Sequence, residues 1–108
     1  MNINKLIRDT LLPLNVPVMK QVYTGTATTY ITFFFYNERG ILNADNEEQA
    51  TRYSIQVDVW GKGDIEDLAK QVKERLEIVG FSRIAFFEDY EKDTKIYHKA
   101  YRFYFDIN

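Results

Sequence analysis

Apolar residues along this chain fall into two spacings, and the spacings divide it into elements. Ile3, Leu6, Ile7, Leu11 and Leu14 recur at helical intervals and predict a short amphipathic helix over residues 3–12. Pro13 and Pro17 stop it and push the chain toward extended backbone. Val16 to Tyr23 reads as a first strand, and "TGTATT" after it as a turn or loose hairpin. "YITFFFYN", residues 30–37, is β-branched and aromatic throughout, hence a strand. Its faces are Ile31/Phe33/Phe35 and Tyr30/Thr32/Phe34/Tyr36. Both are partly apolar, so the strand is covered on two sides or one side is an interface, for which Phe34 and Tyr36 are the candidates.

"TRYSIQVDVW" alternates, with Tyr53, Ile55, Val57 and Val59 facing one way and Ser54, Gln56 and Asp58 the other, the pattern of a half-buried strand. Residues 64–79 carry the best helical stripe: Ile65, Leu68, Ala69, Val72, Leu76 and Val79. Glu66–Lys70 and Lys70–Glu74 sit at i,i+4 on the wet side, and Gly80 is placed just past the end. Two further strands, 81–90 and 95–107, are joined through "EKDT". In the last, Tyr97, Tyr101, Phe103, Phe105 and Ile107 share a face. The order α-β-β-β-α-β-β predicts an α+β fold, a mostly antiparallel sheet with two helices packed against it. Residues 1–108 form a single domain. Residues 38–50, "ERGILNADNEEQA", read as a long, flexible polar connection with four acids against Arg39, net −3.

Composition narrows the function. The chain has 108 residues, room for one small core. With no Cys there is no disulfide scaffold, thiolate metal site or Cys nucleophile. A net charge of −2 argues against non-specific nucleic-acid binding, which needs clustered Lys and Arg. No apolar run approaches the ~20 residues that span a bilayer. The start, "MNINKLIRDTLLPL", lacks the continuous apolar segment of a signal peptide. Use in a cytoplasm is the expectation.

Four groups of residues invite a chemical reading. Gly61-Lys62-Gly63 sits between a strand and a helix, as a phosphate loop would. A P-loop needs Gly where Gln56 stands and Ser or Thr where Gly63 stands. A dinucleotide loop needs Gly at Glu66. Asp64, Glu66 and Asp67 occupy the helix start where a phosphate would bind, so the stretch reads as a corner with Asp64 as N-cap. His98, the only histidine, needs an orienting acid to act as a base, and Asp89, Glu91 and Asp93 lie across the adjoining hairpin turn. Read blandly, it is a surface or hydrogen-bonded residue. Glu88, Asp89, Glu91 and Asp93 lack the glycine and ligand periodicity of a calcium loop and read as a solvated turn. The aromatic strands read as core first, protein–protein surface second and base-stacking platform last, given the acidic balance.

Taken as an ordered set, "YITFFFYNE", the polar loop, "YSIQVDVWGKGDIEDLAKQVKERLEIVGF" and "DYEKDTKIYHKAYRFYF" resemble the tail-terminator or tail-completion (head–tail joining) proteins of long-tailed bacteriophages and prophages. The resemblance covers most of residues 22–107 and is a profile of residue types without a catalytic signature. It implies a structural, non-enzymatic protein with no cofactor or metal. Such a protein forms a ring, commonly hexameric, that caps the tail tube and joins it to the head connector. The implied partners are copies of itself, the tail-tube protein and the head-completion or connector protein, with DNA passing through unbound and no membrane. The implied places are the bacterial cytoplasm during assembly and the head-proximal end of the virion tail. The acidic loop, with Asp45, Glu47 and Glu48, would face the channel, where like charge keeps DNA from sticking. The alternative is a small ligand-binding or regulatory α+β domain using the 61–64 turn and the helix N-terminus.

Overall fold

The computed structural model describes residues 2–42 and 48–108. The chain runs through helix α1 (Ile3–Leu11), a 3-10 turn at Leu12–Leu14, strands β1 (Val18–Lys20), β2 (Tyr30–Leu42) and β3 (Glu48–Gly61), helix α2 (Glu66–Ile78), and strands β4 (Ser82–Glu91) and β5 (Ile96–Ile107). The five strands form one sheet in the order β1-β2-β3-β5-β4. Among the described residues only β1–β2 is parallel; the other three pairs are antiparallel. This is the expected α+β architecture in the expected order.

The alternation read from the sequence decides which face the helices cover. Ile31 and Phe33 on β2, Ile55, Val57 and Val59 on β3, and Tyr101, Phe103 and Phe105 on β5 point into one core. Ile3, Ile7 and Leu11 of α1 and Ala69, Val72 and Leu76 of α2 close it from above. In-register pairs stack these side chains in rows across the sheet: Phe33 lies opposite Val57 and Val57 opposite Tyr101; Ile55 likewise lies opposite Phe103. Proline stops α1 as expected, within a turn in which Asn15 takes a left-handed φ of 59°. Asn2 caps α1 by accepting from the Lys5 amide.

Helix α2 ends as Gly80 predicts. The Phe81 amide donates to the Leu76 carbonyl and the Gly80 amide to the Glu77 carbonyl, the paired bonds of a Schellman cap. Gly80 sits at φ +108°, which a side chain would strain. Phe81 then turns into the core beside Phe103 and Phe105. The helix starts at Glu66 rather than residue 64. Asp64 precedes the N-cap position, Ile65, yet still accepts the Glu66 amide at 2.9 Å. Val79, assigned by spacing to the buried stripe, is 39% exposed because the helix has already ended. Of the predicted i,i+4 pairs, Lys70–Glu74 forms, whereas Glu66 bonds Lys99 across the fold instead of Lys70.

Two boundaries move. The first strand shrinks to Val18–Lys20, where its parallel register with Ile31–Phe33 begins and ends. The 38–50 connection is mostly ladder: β2 continues to Leu42 and β3 begins at Glu48, with Glu38 opposite Tyr53 and Ile41 opposite Ala50. Backbone pairing extends here past the covered core, so the exposed Asn37–Gly40 carry no hydrophobic period to announce it.

Gly61 explains the glycine before Lys62. A Cβ there would lie 2.5 Å from the Cγ2 methyl of buried Ile65, whereas one on Gly63 would meet nothing within 4 Å. Replacing Gly61 by Ala should therefore cost about 1–3 kcal/mol of overpacking strain in urea unfolding. Gly63→Ala should stay within about 0.5 kcal/mol of wild type.

Candidate functional site

The sheet face away from the helices is the second surface built by the alternation. It carries Tyr30, Thr32, Phe34 and Tyr36 from β2, Ser54, Gln56, Asp58 and Trp60 from β3, and His98, Ala100, Arg102 and Tyr104 from β5, set side by side by the registers. Among the described residues no helix covers it; its own side chains do.

Aromatic rings make the first part of that cover. Trp60 and His98 stack at 3.8 Å between centroids, 1° from parallel. Tyr30 lies 6.1 Å from Trp60 on its other side, and Tyr23, from the loop after β1, stacks on Tyr30 at 4.4 Å. The run crosses the sheet from the β1 side to β5. The Trp60 indole N–H donates to Thr32 Oγ1 at 3.0 Å, fixing the ring.

A hydrogen-bonded chain makes the second part. Arg102 Nε donates to Gln56 Oε1 at 3.0 Å, and Gln56 Nε2 donates to Asp58 Oδ1 at 2.8 Å. His98 Nε2 lies 2.6 Å from the same Asp58 oxygen. Asp58 is only 3% exposed, so both bonds are needed to offset its lost hydration. Sequence reasoning placed Asp58 on a wet face; His98 and Gln56 cover it. Arg102 lies over the rings of Tyr36 (4.6 Å) and Phe87 (5.2 Å), joining the polar chain to the exposed aromatics. Phe34 is half-buried and Tyr36 is exposed, at the register shift between Phe35 and Asn37. The two predicted interface residues thus belong to a larger aromatic face. Nearer the end of β5, Arg52 grips Asp106 through Nε and Nη2 at 2.9 and 3.0 Å, and this hydrogen bonding holds the Asp106 carboxyl below its ordinary range.

The acid that orients His98 is Asp58, not a residue of the hairpin turn. Asp89 lies opposite His98 in the β4–β5 ladder, but the hydrogen bond goes to the other neighbour. Asp45 and Glu47 lie outside the described residues; Glu48 opens β3 opposite Leu42.

A cavity of about 670 Å³ opens at the opposite end of β5, lined by Lys62, Gly63, Asp64, Ile65 and Glu66 on one side and Glu88, Asp89, Tyr90, Tyr97, His98 and Lys99 on the other. Four carboxylates outnumber the two lysines, so it disfavours the anion that a glycine-lysine loop suggests. Lys99 is already committed. Its side chain, 10% exposed, bridges Glu66 of α2 (2.5 Å) and Glu88 of β4 (3.0 Å), tying the helix start to the sheet edge. Among the described residues no group of three or more His, Asp or Glu is arranged to hold a metal ion, and no helix is long and apolar enough to cross a membrane. The chain matches no protein-family model and no curated protein.

The hydrogen bond from Glu66, with a second from Glu88, raises the Lys99 pKa against the opposing effect of burial. A group raised in the folded state stabilises fully below its unfolded value, about 10.4, and loses that contribution as pH climbs through the raised one. The stability gap between wild type and Lys99→Met should therefore narrow above about pH 10.4 in unfolding curves taken between neutral and strongly alkaline pH. A gap that does not change with pH would show the bridge to be irrelevant.

Proposed function

We propose that this chain is a non-catalytic assembly subunit that packs with copies of itself into a ring, ends growth of a phage tail tube and presents a docking face to the head connector. The carrying observation is the aromatic sheet face. Phe34, Tyr36, Trp60 and Phe87 lie on a surface that no helix of the chain covers among the described residues. Aromatics with arginine over them are the composition of interface centres. The likeness of residues 22–107 to tail-completion proteins supplies the kind of assembly. His98 and Asp58 fit a structural role on this reading. Both are consumed in holding the face together, and no described hydroxyl bonds the remaining ring nitrogen. The net charge of −3 over residues 38–50, with Asp45, Glu47 and Glu48, would keep passing DNA unbound by like-charge repulsion.

The acidic cavity beside the 61–64 turn supports a second reading, a small-ligand domain. Its lining of carboxylates and the Tyr90–Tyr97 pair, 4.5 Å apart, suits an amine or another organic cation.

Adding the purified protein to growing tail tubes should fix tube length and make the tubes competent to join heads. Tubes that keep lengthening at saturating protein would reject the terminator reading, and a monomer whose melting temperature rises with a small amine would favour the second. Reversal of Asp45, Glu47 and Glu48 to Lys should slow DNA ejection from assembled particles while leaving assembly intact. Unchanged ejection removes the channel assignment.

A further inference from the structure

The two outer edges of the sheet differ in kind. The β4 edge is ten residues long and exposed almost throughout, with Ile84, Phe86, Phe87 and Tyr90 each more than 40% exposed. A long, apolar, unpaired edge is a template for another strand. Its charge is uneven: Arg83 near the start, Glu88, Asp89 and Glu91 toward the end. The β1 edge is three residues long and ends in Lys20, with exposed Met19 and Val22 and no acid between residues 16 and 24.

Their directions also differ. β1 runs with β2; β3 runs against β2; β5 runs against β3; β4 runs against β5. The outer strands therefore point opposite ways. Copies related by rotation about an axis along the strands bring β4 of one beside β1 of the next in antiparallel orientation, and the sheet continues from copy to copy. Head-to-tail contacts of this kind close rings, whereas a two-fold pairing of β4 with β4 closes a dimer and stops.

We propose that the β4 edge docks the β1 edge of a second copy of this chain, with Lys20 of one copy set among the acids at the end of β4 of its neighbour. This deepens the ring reading and rests on it. Three paired residues make each contact weak, so the assembly is concentration-dependent and gains its stability on closure.

The absence of cysteine makes the contact directly testable. Met19 lies opposite Thr32, on the uncovered face, and Ala85, Phe87 and Asp89 lie on the same face opposite Arg102, Ala100 and His98. Met19→Cys would be combined in turn with Ala85→Cys, Phe87→Cys and Asp89→Cys, three registers two residues apart, and oxidised at assembling concentrations. Directly opposed strand residues lie within disulfide reach. Met19→Cys with Asp89→Cys, the register that sets Lys20 opposite Glu88, should give a ladder of cross-linked multimers ending at the ring, with each single variant running as monomer on denaturing gels; cross-linking through Ala85→Cys instead would remove the Lys20 contact. If the wild type sediments as oligomers and no double variant cross-links, the edge assignment is wrong and the ring survives. Dimers from Phe87→Cys alone would replace it with β4–β4 pairing. A wild type that stays monomeric at every concentration, with purified tail tubes present as well, removes the ring reading and this contact together.

Discussion

Everything in this molecule is located by β3, which is hydrogen-bonded along both edges, to β2 on one side and β5 on the other. Because a strand's side chains alternate, a slip of one residue would drive Asp58 into the core and expose Val57. Burial of Ile55, Val57 and Val59, none with measurable exposure, forbids that slip. The same register places Trp60 beside His98 and Gln56 beside Arg102 on the far face. Those residues lie on the face away from α1 and α2, yet the core that the helices close is what holds them in position.

The two faces of the sheet are finished differently. One face of the sheet is filled by α1 and α2. The other has a thin cover of stacked rings and a hydrogen-bonded chain from Arg102 to His98, all within one layer. Such a layer satisfies its polar groups and leaves broad aromatic surface accessible. The cover explains why the single histidine and a buried carboxylate occur together: Asp58 accepts from Gln56 and lies 2.6 Å from His98 Nε2, so the face has a fixed shape.

The hydrophobic period carried most of the fold. Alternation in residues 53–59 assigned both faces of β3 correctly, and Gly80 announced the end of α2. Two things escaped it. Pairing of residues 38–42 with 48–53 depends on backbone bonds beyond the covered core, where side chains leave no pattern. The polar chain depends on partners far apart in sequence: Asp58 and His98 are neighbours only because β5 inserts between β3 and β4. Phe34 and Tyr36 were legible as excess apolar surface on a strand with one face already committed. The stacking of Tyr23, Tyr30, Trp60 and His98 was not, since it requires the register of three strands. The glycine at 61 looked like phosphate chemistry and is a packing requirement beside Ile65.

The central claim is that this fold is an assembly subunit whose uncovered surfaces exist to meet other copies. Native mass spectrometry across a wide concentration range tests it most directly. The account predicts monomer at low concentration giving way to one closed oligomer of defined mass, commonly six copies on the tail-completion likeness, with few open intermediates. A chain that remains monomeric at the highest soluble concentration, and equally so with purified tail tubes present, would contradict it.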